Sequence, residues 1–493
     1  MNTENFKFLL GEYSGRVISS LDQSLSASQL RSQVQAWVDY LQRTQATGHA
    51  VAILADNCPA WIALDMACAS LNIPLVPLPS FFTDQQLEHA IVEAGISTLV
   101  TDHGQRGQKL GFVLTPQDLD APMLCMRRVK LGDATPPNIQ KVTFTSGTTG
   151  DPKGVCLTQA QQLAVASGLN QATASLKIER HLCLLPFSVL LENIAGVYAP
   201  MMAGADIICP PLEETGLKGA SSFDANQCLN TIEKYQAESI ILLPQMLMAL
   251  LQASAPGDPR LKSLKFIAVG GGKVPMGLLT LARMFSLPVY EGYGLSECAS
   301  VVCLNTPANT KPGTVGKPIA GVQVRVDANQ EIWVKGRHFS GYLHELKTNS
   351  EPTHCVGEWL PTGDLGALDE DGFLSIQGRK KNLIITGFGR NISPEWPEGI
   401  LLSTGLFLQA AVFGEGQTGL AAMLVLRNPT DSNKVQNALD TVNAQLPDYA
   451  RIVQHLLVPE PFSFNNGLCT ANGRIRRDAI WHAYNSQLNG ETA

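Results

Sequence analysis

Residues Val142 to Gly154 read Val-Thr-Phe-Thr-Ser-Gly-Thr-Thr-Gly-Asp-Pro-Lys-Gly. Val142 to Phe144 is a short β-prone run, and the change of texture at Thr145 predicts a strand that ends in a loop. In that loop Gly147, Gly150 and Gly154 let backbone N–H groups approach a ligand closely, the hydroxyls of Thr145, Ser146, Thr148 and Thr149 add donors, and Lys153 adds a point positive charge. Such a loop suits a polyphosphate. A plain turn would explain any few of these residues, because Gly, Thr, Asp and Pro all favour turns, but not the contiguous set. Nor is the spacing that of a P-loop, which needs Gly-x4-Gly-Lys-Ser/Thr. Here Gly147 and Gly150 are three apart, Lys153 follows Pro152, and Gly154 stands where the hydroxyl should be.

Upstream of this stretch, helical and extended patterns alternate. Ala27 to Gln42 places Leu30, Val34, Trp37, Val38 and Leu41 at helical spacing; Val51 to Leu54 reads as a buried strand, Trp61 to Leu71 as helix and Leu75 to Leu78 as extended. Downstream, Ser239 to Leu243, Phe266 to Val269 and Val289 to Glu291 are short apolar runs of the kind found in central strands. This βαβα order predicts an α/β fold with mainly parallel sheets. After Gly321 the pattern becomes alternating, with Val322, Val324 and Val326 and then Ile332 and Val334 separated by polar residues, so a smaller antiparallel or barrel part is expected. The sharpest boundary falls near Gly378, after the turn-rich Pro361 to Gly372. It divides the chain into a large N-terminal α/β domain, residues 1–378, and a small C-terminal domain, residues 379–493.

Composition limits the function. The 493 residues are 45% hydrophobic and 16% charged, too apolar for disorder and too long for one ordinary core. The net charge of −7 argues against wholesale binding to nucleic acid or an anionic membrane. The opening Met-Asn-Thr-Glu-Asn does not read as a secretory signal, and the most apolar window, Ile240 to Leu251, is broken by Pro244 and is too short to span a bilayer. Eleven cysteines without a Cys-x-x-Cys pair are expected to be reduced thiols of a cytoplasmic protein.

The string Thr145 to Gly154 resembles the signature loop of the adenylate-forming superfamily of acyl-CoA synthetases, adenylation domains and luciferases. Further stretches resemble that family's motifs in order. Glu291-Gly292-Tyr293-Gly294-Leu295-Ser296-Glu297 is similar to its Tyr-Gly-Leu-Thr-Glu element, Gly270-Gly271-Gly272 to its adenine-side turn, Thr362-Gly363-Asp364 to its Thr-Gly-Asp, and Gly378-Arg379-Lys380-Lys381 to its hinge. The resemblance implies ATP bound by Thr145 to Gly150, Lys153, Gly270 to Gly272 and Glu291 to Gly294. Tyr293 would stack on adenine and Ser296 contact the α-phosphate. Asp364 and Arg379 would hold the ribose, Glu297 would hold Mg²⁺, and Lys381 would be the pivot of a mobile α+β cap. A carboxylate such as Glu297 beside a phosphate loop repels ATP unless a divalent cation bridges them.

The implied reaction is attack of a carboxylate, already ionised at neutral pH, on the α-phosphorus of ATP, followed by thioester formation with CoA. The apolar window Ile240 to Leu251 reads either as a pocket wall or as a buried core helix, and Asn465 to Thr470 resembles long-chain fatty-acyl synthetases. A medium- or long-chain fatty acid is therefore the expected substrate. Two positions depart from the family. Arg474, in Asn-Gly-Arg-Ile-Arg-Arg, stands where a Lys usually bridges carboxylate and α-phosphate, and Val189 stands where fatty-acyl synthetases often carry His. Arg keeps the charge but presents a wider planar fork. These departures leave two alternatives open: the phosphopantetheine of a separate carrier protein as acceptor, and a catalytically weak nucleotide or acyl-adenylate binder.

Overall fold

The computed structural model describes residues 6–44, 48–115, 123–128, 132–145, 152–219, 222–336, 338–348, 355–387, 390–470 and 474–488. Two large sheets dominate. The first runs, edge to edge, through Gly341–Tyr342, Lys153–Leu157, Lys141–Thr145, Leu75–Pro77, Ala50–Leu54, Ile96–Thr101, Leu124–Arg128 and Phe112–Leu114. Its central neighbours pair in parallel and its margins antiparallel. The second is nine-stranded, with Arg180–Leu182, Ser239–Leu242, Phe266–Val269 and Val289–Tyr293 in parallel at its centre. Every residue of Ala50–Leu54 is buried, as the unbroken apolar run of a strand covered on both faces requires.

The helices between strands begin and end where their chemistry dictates. Asp84–Ala94 opens on a capping box between Thr83 and Gln86 and closes on Gly95 at φ 63°. Gln159–Thr173 opens on the same device, Thr158 with Gln161. The α/β class and the antiparallel part are as expected: Gln323–Val326, Glu331–Lys335, Trp359–Leu368 and Leu374–Arg379 form a four-stranded antiparallel sheet.

Beyond it, Phe407–Phe413, Leu420–Leu426 and Ile452–Leu457 make a three-stranded sheet flanked by the helices Glu395–Ser403, Val435–Asn443 and Arg477–Leu488. Two apolar clusters here draw only on residues from Ile384 onward. Contacts back to the rest of the chain include Arg427 Nη1, which donates to Gln252 Oε1 at 3.1 Å, Phe464 on the cluster that holds Phe82, and the helix Glu395–Ser403 against both the helix of Gly277 and the strand Leu374–Arg379.

One expectation resolves into both of its alternatives. The run Ile240 to Leu251 splits, because Pro244 lacks the N–H to extend the strand Ser239–Leu242 and instead starts the helix Pro244–Ala253. Leu247 and Leu250 enter the core, while Ile241 and Met248 line the main cavity. Among the described residues no helix is long and apolar enough to cross a membrane, and all eleven cysteines are free thiols.

Candidate active site

The parallel strands Ser239–Leu242, Phe266–Val269 and Val289–Tyr293 point their carboxyl ends into one cleft, the position at which open α/β sheets bind ligands. Glycines make the close approach there. Gly271 holds φ 76°, and a Cβ on Gly294 would lie 1.5 Å from the Ser300 carbonyl oxygen, which only glycine avoids. Gly270 to Gly272 and Glu291 to Gly294 all line the cleft. Glu291 is buried there; its Oε2 accepts a hydrogen bond from Gly313 N at 3.0 Å, and burial pushes its pKa up to about 7.

On the next wall, Tyr293, Asp364 and Arg379 form one linked unit. The Tyr293 hydroxyl donates to Asp364 Oδ2 at 2.6 Å, and Arg379 Nε lies 2.7 Å from Asp364 Oδ1. Asp364 and Arg379 are direct partners in the antiparallel ladder, so the register of two strands sets this pair. Burial raises the Asp364 pKa against the opposing pull of Arg379 and Tyr293.

Thr145 and Lys153 face each other across the neck of a hairpin. Ser146, Gly147, Thr148, Thr149 and Gly150 lie outside the described residues, as does Gly473. Lys153 Nζ stands 5.3 Å from the centre of the Tyr342 ring. Tyr342 in turn donates its hydroxyl to Glu297 Oε1 at 2.7 Å. Ser296 and Glu297 sit on a single 3₁₀ turn that lines the same cleft.

The cleft gathers positive charge. Arg474 reaches it from the C-terminal part, solvent-accessible on one side and walled by protein on the others. Desolvation by those walls and then Arg379 depress its pKa, while Asp364 and Glu297 oppose the shift. Lys381 is depressed by burial and by Arg379, Arg474 and Lys153. Four cations from three segments distant in sequence thus share one field with two carboxylates, an arrangement that repels itself until anions enter. The donor set also fits a divalent cation beside phosphate. Glu297 Oε1 is taken by Tyr342, and Oε2 accepts no hydrogen bond among the described residues.

The cavity continues from these charges into an apolar limb, about 2290 Å³ in all. Val189, Leu190, Ala195, Ile241 and Ala268 are among the residues that line it. Leu190 and Ala195 lie at or on a π-helical turn, Glu192–Tyr198, which periodicity does not reveal. Behind it His181, Cys183 and Glu192 bring ligand-type atoms within 4.8 Å of one another. Each is already engaged: His181 Nδ1 with Ser239 Oγ at 2.8 Å, Glu192 with Leu185 N at 3.1 Å, and Cys183 with the Gly196 carbonyl at 3.5 Å. The cluster is a hydrogen-bonded knot that fixes the wall. Neither it nor Tyr342 carries a sequence signal, since a single His, Cys or Tyr in an apolar run reads as core.

The chain matches the family model described as AMP-binding enzyme over residues 12–343, and the model described as AMP-binding enzyme C-terminal domain over residues 381–490. The chain belongs to the AMP-binding enzymes. As one of them it is similar to 2-succinylbenzoate–CoA ligase of Bacillus mycoides strain KBAB4, 30% identical over 385 residues, with 74% of this chain and 75% of the relative covered. The same enzyme of Bacillus pumilus strain SAFR-032 is 28% identical over 399 residues, with 76% of each covered. Two solved AMP-binding enzymes share the fold. The anthranilate CoA ligase AuaEII in complex with anthranoyl-AMP superposes with TM-score 0.80 at 18% identity, over 97% of each chain. The o-succinylbenzoate CoA synthetase MenE of Bacillus subtilis, in complex with the acyl-adenylate intermediate OSB-AMP, gives 0.77 at 22%, over 96% of this chain and 97% of that one. Membership of the adenylate-forming superfamily, expected from the ordered motifs, holds. The fatty-acid expectation finds no support among these relatives, whose named acids are aromatic.

Proposed function

We propose that the protein is an AMP-forming acid–thiol ligase, which joins a carboxylic acid to ATP with release of pyrophosphate and then passes the acyl group to CoA. The observation that carries this reading is the convergence of Lys153, Arg379, Lys381 and Arg474 with Glu297 and Asp364 at the carboxyl ends of parallel strands. In it Tyr293 and Gly270 to Gly272 receive adenine beside Glu291, Asp364 and Arg379 hold the ribose, and Thr145 to Gly150 with Lys153 and Ser296 hold the phosphates. Arg474 bridges the acid carboxylate and the α-phosphate. No general base is required, because the nucleophile is ionised at neutral pH; the residues orient it and neutralise charge. A Mg²⁺ ion held through Glu297 would neutralise phosphate charge. Residues 1–378 and 379–493 act as body and mobile cap, with Lys381 as the pivot. The free cysteines fit a reducing compartment, the cytoplasm.

For the acid we propose an aromatic monocarboxylate, on the acids named for the relatives and the apolar limb beside Val189 and Ile241. A medium- or long-chain fatty acid is the second reading, favoured by the aliphatic character of that limb. ATP–pyrophosphate exchange over a panel of aromatic and aliphatic acids separates the two, and thioester assays with CoA and with a loaded carrier protein assign the acceptor. Absence of exchange with every acid, in protein that binds ATP, would leave only the nucleotide-binder alternative.

A further inference from the structure

Glu297 and Lys153 carry opposite charges into the same cleft, and both are needed there with their charges available. Two such side chains tend to collapse onto each other, which would cancel the metal ligand against the phosphate ligand. Among the described residues no ion pair joins them. Between them stands Tyr342. Its hydroxyl donates to Glu297 Oε1 at 2.7 Å, and its ring receives the Lys153 ammonium at 5.3 Å. The placement is set by backbone: Tyr342 pairs with Val155 in the antiparallel ladder of the strand that Lys153 begins. Phe339 packs edge-on against the ring at 4.9 Å, and its N–H donates to the Glu297 carbonyl at 2.5 Å, so one short segment grips both ends of Glu297.

We propose that Tyr342 is a positioning residue of the metal–triphosphate site: its hydroxyl fixes one oxygen of Glu297 and leaves Oε2 uncommitted, while its ring face holds Lys153 apart from that carboxylate. The inference rests on the roles given above to Glu297 and Lys153. It requires no new chemistry, only that the site be kept open for a cation and an anion together.

The test uses the full-length protein and two variants, Tyr342→Phe and Tyr342→Leu. Binding of ATP is followed by calorimetry with and without MgCl₂, and Mn²⁺ affinity in the presence of ATP by electron paramagnetic resonance. Tyr342→Phe keeps the ring and its packing on Phe339 but loses the hydroxyl. Its Mn²⁺ affinity is expected to fall about tenfold while binding of metal-free ATP stays as in the wild type. Tyr342→Leu is expected to lose metal affinity equally and to bind metal-free ATP several-fold more weakly, because Lys153 turns to Glu297. Wild-type Mn²⁺ affinity in Tyr342→Phe, or equal loss of metal and metal-free ATP binding in that variant, overturns the proposal. A wild-type protein that binds no ATP under any metal condition overturns the functional reading and this inference with it.

Discussion

At the residue scale, Arg474 and Glu291 both depart from ordinary behaviour. Arg474 lines a cleft with other cations near it, and a planar guanidinium fork can pair with two anionic oxygens at once, a task a single ammonium does differently. Arg474→Lys is therefore expected to slow ATP–pyrophosphate exchange about tenfold, and Arg474→Ala by about a hundredfold or more. Unchanged or faster exchange in Arg474→Lys would refute a bridging role for the fork. Glu291 carries a different signature. Its carboxyl pKa rises from 4.5 to about 7 on burial, so the folded protein holds the proton more tightly than the unfolded chain. The resulting stabilisation is full below about pH 4.5 and is lost as pH climbs through 7. Glu291→Gln keeps an acceptor for Gly313 N and removes the titration. Melting curves should show the variant gaining about 1–3 kcal/mol on the wild type between pH 5 and 8; parallel curves over that range would contradict the assignment.

At the scale of elements, the wall of the apolar limb depends on one missing Cβ. The π-helical turn Glu192–Tyr198 brings Gly196 so near the buried knot that a Cβ would stand 2.2 Å from Glu192 Oε1 and 2.9 Å from His181 Nε2. Gly196→Ala must push Glu192 off Leu185 N or unwind the turn. A loss of about 2–3 kcal/mol in urea unfolding is expected, together with a changed order of preference among acids in the exchange assay. A variant of wild-type stability and acid profile would mean that the turn relaxes freely. This turn also shows why the sequence was legible only in part. Phe266–Val269 was read to the residue, because a central parallel strand is an unbroken apolar run between breakers. Gly270 to Gly272 and Asp364, which the structure brings to one cleft, were equally plain, since each stands in a contiguous string that needs a special backbone or charge. Tyr342 and His181 escaped because their meaning comes from partners 45 and 11 residues away, Glu297 and Glu192. A π-turn escaped because its hydrogen bonds, not its composition, distinguish it. The acid was not legible for a similar reason: an aliphatic wall sets polarity, whereas shape comes from how the elements meet.

At the scale of the molecule, a net charge of −7 coexists with a cleft whose four cations come from both parts of the chain. Arg474 belongs to the C-terminal part, yet its field reaches Asp364 and Glu297, so in this arrangement that part contributes a cation to the cleft. Under the proposed reaction one cleft serves two steps, and a turn of the C-terminal part about Lys381 between them is the expected way to exchange one set of side chains for another. One contact between the two parts can be made permanent. A Cβ built on Gly277 would lie 3.2 Å from Ser403 Cβ, close to the roughly 3.8 Å of a disulfide. The double variant Gly277→Cys, Ser403→Cys, oxidised, should therefore lock the present arrangement. Pyrophosphate exchange is expected to continue at no less than about half the wild-type rate, while thioester formation falls by about a hundredfold and returns when the bridge is reduced. A locked protein that still makes thioester at the wild-type rate would show that both steps run in this one arrangement, and the hinge at Lys381 would lose its purpose.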